Sequence, residues 1–202
     1  MAGGSMALGQ ERMRGAEAHT DPFDVVYEAH HAYVYGLVHA LLGNTQDAED
    51  VTQEVFLTVY KALPTYKPER AGMRTWLAKV TVNACRGHRR RNFLSRLWQR
   101  ADSYSSEALN DVEDLSLLGA PEDQALHSEM RRILGEALAK LRDEHRVVLV
   151  LHYYLDMPCQ EIARLLECPE GTVYSRLYYA RRTVQAHLER RTSHRKAANG
   201  KA

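Results

Sequence analysis

The stretch QEIARLLECPEGTVYSRLYYARR (160–182) decides the fold class, because it holds two helical patterns separated by a short connection. Ile162, Leu165 and Leu166 mark a short helix, and Cys168-Pro169 begins a longer one with proline at its first position. Apolar residues of the longer helix recur at offsets 0, 4, 7, 11 and 15: Val173, Leu177, Ala180, Val184 and Leu188. A short helix, a four-residue connection and a long helix have helix-turn-helix spacing.

If this apolar stripe faces a core, the polar residues in the first turns of the second helix lie on other faces. In a helix-turn-helix those turns enter the major groove, where Ser, Thr, Glu and Arg reach base edges. Gly171 lets a base or phosphate approach the backbone closely. The predicted DNA-binding set is Glu170, Gly171, Thr172, Ser175, Arg176, Tyr179, Arg181 and Arg182. The alternative is an ordinary helical hairpin with a solvated basic face.

The rest of the chain also has helical patterns. Apolar residues at a spacing of three and four predict a helix over 126–141. Asp143 is predicted to cap the next helix, which includes VVLVLHYYL. That segment is assigned to a helix because no second strand nearby could pair with it. A helix from Phe23 to Leu42 ends at Gly43-Asn44, and Thr45 is predicted to cap the next one. That second helix buries a stripe of valines: Val51, Val55 and Val59. A third helix is predicted from about Met73 to Arg91, so the class is all-α.

The third helix has a polar and basic stripe beside an apolar one. Thr75, Lys79, Asn83, Arg86 and Arg90 share the first stripe, and Leu77, Val80 and Ala84 form the second. Such a stripe next to an aromatic and basic loop suits single-stranded or melting nucleic acid, with Trp76 mostly in the core. The predicted set is Tyr66, Lys67, Arg70, Met73, Lys79, Asn83, Arg86 and Arg90. A solvated basic face is the alternative.

The second helix has an acidic face next to apolar residues, Phe56 and Leu57. This mixture fits a protein partner, although a solvated face is equally compatible with the spacing. The predicted partner-binding set is Asp47, Asp50, Gln53, Glu54 and Phe56. A metal-dependent nuclease using Asp47, Glu49 and Asp50 is a weaker alternative, because no histidine or further carboxylate converges with them. We therefore predict no enzyme activity, no metal and no cofactor.

Composition supports a two-domain protein with an acidic connection. The 202 residues carry 27 basic and 26 acidic side chains, a net charge of +1. Residues 101–129 hold eight carboxylates and no Lys or Arg, which predicts a flexible acidic linker. Cys85, Cys159 and Cys168 lack metal-site spacing, and neither a secretory signal nor a membrane-length apolar run occurs. We predict a cytoplasmic protein.

Three segments together resemble bacterial sigma factors of the extracytoplasmic-function (ECF) group. They are DAEDVTQEVFLTVYKAL (47–63), TWLAKVTVNACRGHRRR (75–91) and QEIARLLECPEGTVYSRLYYARR (160–182), in the order of that family. The resemblance implies a sigma-two helical bundle (22–92) and a sigma-four helix-turn-helix domain (122–190). Composition predicts the segments around them: a disordered lead (1–21), an acidic linker (93–121) and a basic disordered tail (191–202).

The resemblance also implies partners and roles. The sigma-two domain would bind the clamp helices of RNA polymerase core through Asp50, Gln53, Glu54 and Phe56, and would read and melt the −10 element. The sigma-four domain would read the −35 element, and the polymerase flap and an anti-sigma factor are further implied partners. The main rival is a stand-alone dimeric helix-turn-helix regulator, which would bind a palindromic site without polymerase.

Overall fold

The computed structural model describes residues 21–102 and 124–199, and all regular elements within these ranges are helical. The α-helices are α1 Pro22–Leu42, α2 Thr45–Ala62, α3 Met73–Asp102, α4 Gln124–Ala139, α5 Asp143–Tyr153, α6 Cys159–Leu166 and α7 Glu170–Asn199. A 3-10 turn, Leu63–Thr65, follows α2. Helices α1 to α3 pack together, and α4, α5 and α6 pack with α7 or with each other, which confirms two helical domains. The predicted lead up to residue 20, and the linker from 103 to 121, lie outside the described residues.

Helix α1 begins and ends where its free backbone groups find partners. The carboxylate of Asp21 accepts a hydrogen bond from the Phe23 backbone N–H at 2.9 Å, and Pro22 takes the first helical position. At the other end Gly43 has a φ of 85°, a left-handed conformation that glycine adopts without strain. Its N–H donates to the His39 carbonyl at 2.8 Å, so the predicted helix stop is confirmed.

Two predicted helix caps are wrong. Helix α2 is capped by Asn44, whose side chain accepts from the Asp47 N–H at 2.8 Å, and Thr45 is its first residue. Helix α5 has Arg142 at its cap position and no side-chain cap, so Asp143 is its first helical residue, and the Asp143 carboxylate pairs with Arg89 of the other domain. In both cases the predicted residue is of a type that often caps helices. The neighbouring Asn44 caps α2 instead, and the start of α5 has no side-chain cap.

The predicted core stripes are largely confirmed. Val51, Val55 and Val59 of α2 are fully buried. In α7 Val173, Leu177 and Ala180 are buried, whereas Val184 is half-buried and Leu188 is exposed towards the end of the helix. The segment VVLVLHYYL lies in α5 and its continuation, not in a strand.

The apolar stripe of α3 differs from the prediction in its register. Leu77 is fully buried, but Val80 and Ala84 are only half-buried. The remaining buried positions of α3 are Ala78, Thr81, Val82 and Cys85. Burial raises the pKa of the Cys85 thiol to about 12, so this cysteine is an inert packing residue.

Two helices extend further than the sequence predicted. Helix α3 continues to Asp102, ten residues into the predicted linker. Helix α7 continues to Asn199, which corrects the predicted disordered tail from residue 191. The physical reason is the same in both, since neither Gly nor Pro interrupts 88–102 or 172–199.

A buried arginine joins the two domains. Arg146 of α5 donates hydrogen bonds to the carbonyl oxygens of Leu138, Ala139 and Leu141 at 2.8, 3.3 and 3.2 Å, where α4 ends. It also donates to the Leu41 carbonyl of α1 at 2.9 Å. One guanidinium thus satisfies the C-terminal carbonyls of helices from both domains, where a cation is also favoured by the helix dipoles.

We predict that Arg146→Met lowers the free energy of unfolding by about 2–4 kcal/mol, because buried carbonyls lose a charged donor. Urea denaturation followed by circular dichroism measures this. The control is Arg164→Met, an exposed position on α6, which we expect to change stability by less than about 0.5 kcal/mol. Equal stabilities for the two variants would show that the carbonyls find other partners.

Candidate functional site

The outer face of α2 is acidic at its centre and apolar at its margin. Asp50 and Gln53 are exposed, one turn apart. Leu57 and Tyr60 lie further along the helix and are 62% and 57% exposed. Large apolar side chains next to unpaired polar ones, on a helix that the core already anchors, are typical of a surface that binds protein.

Two predicted members of this face are engaged with other helices. Asp47 is half-buried, accepts a hydrogen bond from Asn44 Nδ2 at 2.8 Å and lies 3.1 Å from His88 Nε2. Glu54 is exposed and accepts two hydrogen bonds from Arg91 of α3, at 2.8 and 2.7 Å. These contacts connect the acidic face of α2 to the basic helix α3.

Phe56 lies beneath the acidic face and not on it. It is 4% exposed and packs against Tyr27, with ring centroids 4.7 Å apart, and against Phe23 and His31 of α1. This corrects its predicted contact with a partner, because its ring points into the bundle. Phe56 instead fixes the position of α2 from below.

The loop before α3 is held by an aromatic pair. Tyr66 is half-buried with its ring 5.0 Å from that of Trp76, and its hydroxyl donates to the Ala71 carbonyl at 2.9 Å. Lys67 and Arg70 are exposed on this loop. Tyr66 therefore shapes the loop while its cations face solvent, and Met73 is half-buried against the core.

The basic stripe of α3 is divided between solvent and the other domain. Asn83, Arg86 and Arg90 are exposed. Lys79 forms an ion pair with Glu167 at 2.7 Å, and Thr75 donates to Glu161 at 2.6 Å. The sequence placed these five residues on one stripe, but it gave no sign that two of them meet carboxylates of the other half.

The start of α7 presents short polar side chains. Glu170, Gly171 and Ser175 are exposed, and Thr172 is half-buried. Arg176 of the same helix pairs with Glu144 of α5 at 3.0 Å. The short exposed side chains at this end of α7 would fit into a DNA groove, and Arg176 is held at one side by Glu144.

Aromatic rings hold the side chains further along α7. The Arg181 guanidinium lies 5.4 Å from the Tyr153 ring, and that of Arg182 lies 5.7 Å from the Tyr178 ring. Tyr179 is 54% exposed and stacks on His145 at 6.0 Å. Cation–π contacts at exposed sites contribute about 0.5–1 kcal/mol each, so these cations keep defined positions.

Sequence reasoning missed the contacts between the domains. Arg89 of α3 pairs with Asp143, and its guanidinium also reaches the Leu41 carbonyl. Burial and the nearby charge of Arg146 lower the pKa of Arg89 to about 10. The one sequence signal was Arg146 itself, which lies one turn before the buried Val150, on the apolar side of α5.

In the described residues no three His, Cys, Asp or Glu side chains converge in a way that could hold a metal ion. Nor does any helix there combine the length and apolar character needed to cross a membrane.

Comparison with known proteins identifies both domains. Residues 26–93 match Sigma-70 region 2, and residues 131–184 match Sigma-70, region 4. The ECF RNA polymerase sigma-E factor of Escherichia coli is 31% identical over 149 residues, 71% of this chain and 74% of that protein. The RNA polymerase sigma-H factor of Pseudomonas aeruginosa is 27% identical over 173 residues, 83% and 86% of the two chains.

The chain belongs to the ECF group of the sigma-70 family. It is therefore a sigma factor that acts in transcription initiation with RNA polymerase and contains a DNA-binding helix-turn-helix domain. This membership accounts for the N-terminal segments, which the stand-alone regulator left unexplained.

Solved structures agree with this sigma factor in fold. The sigma factor RpoE in complex with the anti-sigma factor NepR from Bartonella quintana has a TM-score of 0.63 at 18% identity, covering 83% of this chain and 96% of that one. CnrH in complex with the cytosolic domain of CnrY has a TM-score of 0.55 at 22% identity, covering 83% and 87%.

For the loop of this sigma factor we predict that Tyr66→Ala increases amide hydrogen exchange over 66–72 by about tenfold, because stacking and the bond to Ala71 are lost together. Tyr66→Phe, the matched control, keeps the ring and should give a smaller increase. Hydrogen exchange read by mass spectrometry measures both. Unchanged exchange in Tyr66→Ala would contradict the assigned role.

Proposed function

We propose that this sigma factor directs RNA polymerase core to promoters by reading a −35 element with α7, and by reading and melting a −10 element with α3 and its preceding loop. The carrying observation is that two family-matched domains each present a separate polar helix face, with no shared catalytic centre among the described residues. The factor lends specificity, and the polymerase performs the chemistry.

The polymerase contact is assigned to the acidic face of α2. Asp50 and Gln53 are exposed and have no other role in the fold, and Glu54 stays accessible although it pairs with Arg91. Asp47 stabilises the N-terminal end of this face through its hydrogen bonds with Asn44. By resemblance to the family, the partners are the clamp helices of the core enzyme, and the sigma-four domain contacts the flap.

The −10 contact is assigned to the loop 66–73 and to α3. Exposed Lys67 and Arg70 can hold the backbone of a separated strand, while Asn83, Arg86 and Arg90 extend the track along α3. Extruded bases can stack on aromatic or guanidinium planes, and stacking supplies roughly 1–3 kcal/mol per base. That is comparable with the few kcal/mol needed to unstack a base, so capture can sustain melting.

The −35 contact is assigned to the start of α7. Glu170, Thr172 and Ser175 can reach base edges from the first turns, and Gly171 leaves room for the DNA backbone. Arg176 reads a base once it leaves Glu144, whereas Arg181 and Arg182 bind phosphates and Tyr179 borders the contact. A net charge of +1 fits a factor that depends on polymerase for much of its affinity.

One further partner and a location follow. The solved structure of RpoE from Bartonella quintana contains the anti-sigma factor NepR, and we infer that a comparable protein regulates this chain. Work with RNA polymerase places it in the cytoplasm.

For the polymerase face we predict that Asp50→Ala with Gln53→Ala abolishes capture of core polymerase and run-off transcription, while circular dichroism is unchanged. Both side chains are exposed, so the fold does not need them. The control is Glu28→Ala with Gln160→Ala, an exposed carboxylate and amide elsewhere. Full capture of core polymerase by Asp50→Ala with Gln53→Ala would contradict the assignment of this face to polymerase binding. Wild-type chain that gives no transcript with core on a genomic promoter library would remove the proposed function.

For the −35 contact we predict that Arg176→Ala weakens binding of the holoenzyme to its promoter by about 1–3 kcal/mol, the range for a bidentate base contact. Electrophoretic titration with native and scrambled −35 DNA measures it. Equal losses on the two DNAs would show that Arg176 contacts only phosphate.

A further inference from the structure

We propose that the cavity between the two domains binds a small phosphate-bearing molecule, held by the guanidinium groups of Arg86, Arg89 and Arg176. The ligand is inorganic phosphate or a phosphate monoester such as a nucleoside monophosphate. The proposal goes beyond promoter recognition, because it assigns a ligand to the free chain and does not depend on what α3 and α7 read.

The cavity has a volume of about 260 Å³ and is bounded by residues of α1, α3, α5 and α7. Its apolar part is formed by Leu41, Cys85 and Val147. Its charged lining comprises four arginines and two carboxylates, a net charge of +2: Arg86, Arg89, Arg146, Arg176, Asp143 and Glu144. Small-molecule sites usually measure about 300–1,000 Å³, so this volume suits a ligand at the lower end of that range.

The paired arginines of the lining are less exposed than the carboxylates that pair with them. The side chains of Arg89 and Arg176 are 25% and 23% exposed, whereas those of Asp143 and Glu144 are 60% and 45% exposed. Solvent screens the exposed carboxylates more strongly than it screens the arginines. Both carboxylates are also already engaged, so two of the four arginines are in excess.

The crowding of guanidinium groups is unfavourable for their charged forms. Burial, and then the nearby charge of Arg146, lower the pKa of Arg89 to about 10. Arg89 is nevertheless protonated at neutral pH, so its repulsion from Arg146 persists in the folded chain. A dianion in the cavity would offset this repulsion, because each guanidinium would then face an opposite charge in a site partly shielded from water.

The geometry of guanidinium groups favours phosphate over other anions. Each group presents a planar pair of N–H donors that matches two oxygens of a phosphate. Phosphate offers oxygens in several directions, so Arg86 of α3 and Arg176 of α7 can bind one phosphate from different helices. A monocarboxylate would neutralise only one of the two excess charges. Leu41 and Val147 offer an apolar surface to the remainder of a phosphate ester.

Isothermal titration calorimetry on the full chain tests this site. The probes are inorganic phosphate, adenosine monophosphate and adenosine, at constant ionic strength set with chloride and at about pH 7.5, where a phosphate monoester is mainly a dianion. We expect one-to-one binding of a phosphate probe and no binding of adenosine. Tighter binding of the monophosphate would identify an ester as the ligand, and equal or weaker binding would identify free phosphate. Binding of neither, or equal binding of adenosine, would overturn the proposal.

A pair of arginine variants locates the binding. Arg86→Gln with Arg176→Gln should weaken phosphate binding by about tenfold or more, because two charge-assisted donors are lost. The control is Arg142→Gln with Arg164→Gln, which removes the same charge at two exposed positions outside the cavity lining. It should stay within about twofold of the wild type. Equal losses in the two double variants would show that net charge and not the cavity binds phosphate, which would overturn the site.

A carboxylate variant should have the opposite effect. Glu144→Gln should strengthen phosphate binding about threefold or more, because it removes the anion that competes for Arg176. Glu28→Gln, at an exposed position of α1, is the matched control and should leave binding unchanged. An increase cannot result from misfolding, so this variant tests the site independently of the arginine variants. Unchanged or weaker binding by Glu144→Gln would contradict the proposal.

The titration needs neither polymerase nor DNA, so it is separate from the transcription assay. Phosphate binding by a chain that gives no transcript would retain this site and remove the proposed function. A chain that supports transcription but binds no phosphate probe would remove this site alone.

Discussion

The structure depends on the Leu41 carbonyl at the C-terminal end of α1, where two guanidinium groups meet. Arg146 and Arg89 both donate to this oxygen, and Arg146 also binds the last carbonyls of α4. Burial, and then the repulsion between two cations so close, lower the pKa of Arg89. Asp143 offsets that repulsion at the start of α5. The same small region thus ends two helices, begins a third and joins the domains.

The contacts between the two domains are of two kinds, exposed ion pairs and buried apolar side chains. Ion pairs such as Lys79–Glu167 are exposed and weak individually, so a competing polyanion or protein can displace them. The contact of α1 with α5 is apolar, because Leu37 and Leu41 belong to the same buried cluster as Val147 and Leu151.

Periodicity was enough to predict the helices. The valine stripe of α2, the stripe of α7 and the stop at Gly43 all follow from residues within a few positions of one another. The sequence also indicated the exposed polar faces, because residues opposite a core stripe face solvent. Phe56 was misplaced since its neighbours along the chain are polar, while the α1 rings that bury it lie 25 to 33 positions away.

What could not be predicted are contacts over long sequence separations. Thr75 and Glu161 are 86 positions apart, and nothing local to either residue indicates the other. Aspartate often caps helices, but Asp143 forms an ion pair with Arg89 of the other domain. The helices of each domain could be predicted from nearby residues. The packing of one domain against the other could not, because it depends on contacts between residues far apart in sequence.

The most direct test of the account is the distance between the two domains in the free chain. Spin labels at Lys61→Cys and Arg164→Cys, both exposed, can be introduced with Cys159 and Cys168 replaced by serine; Cys85 is buried and unreactive. Double electron–electron resonance should give one short and narrowly distributed distance for the free chain. A broad distribution of long distances in the free chain would contradict the account.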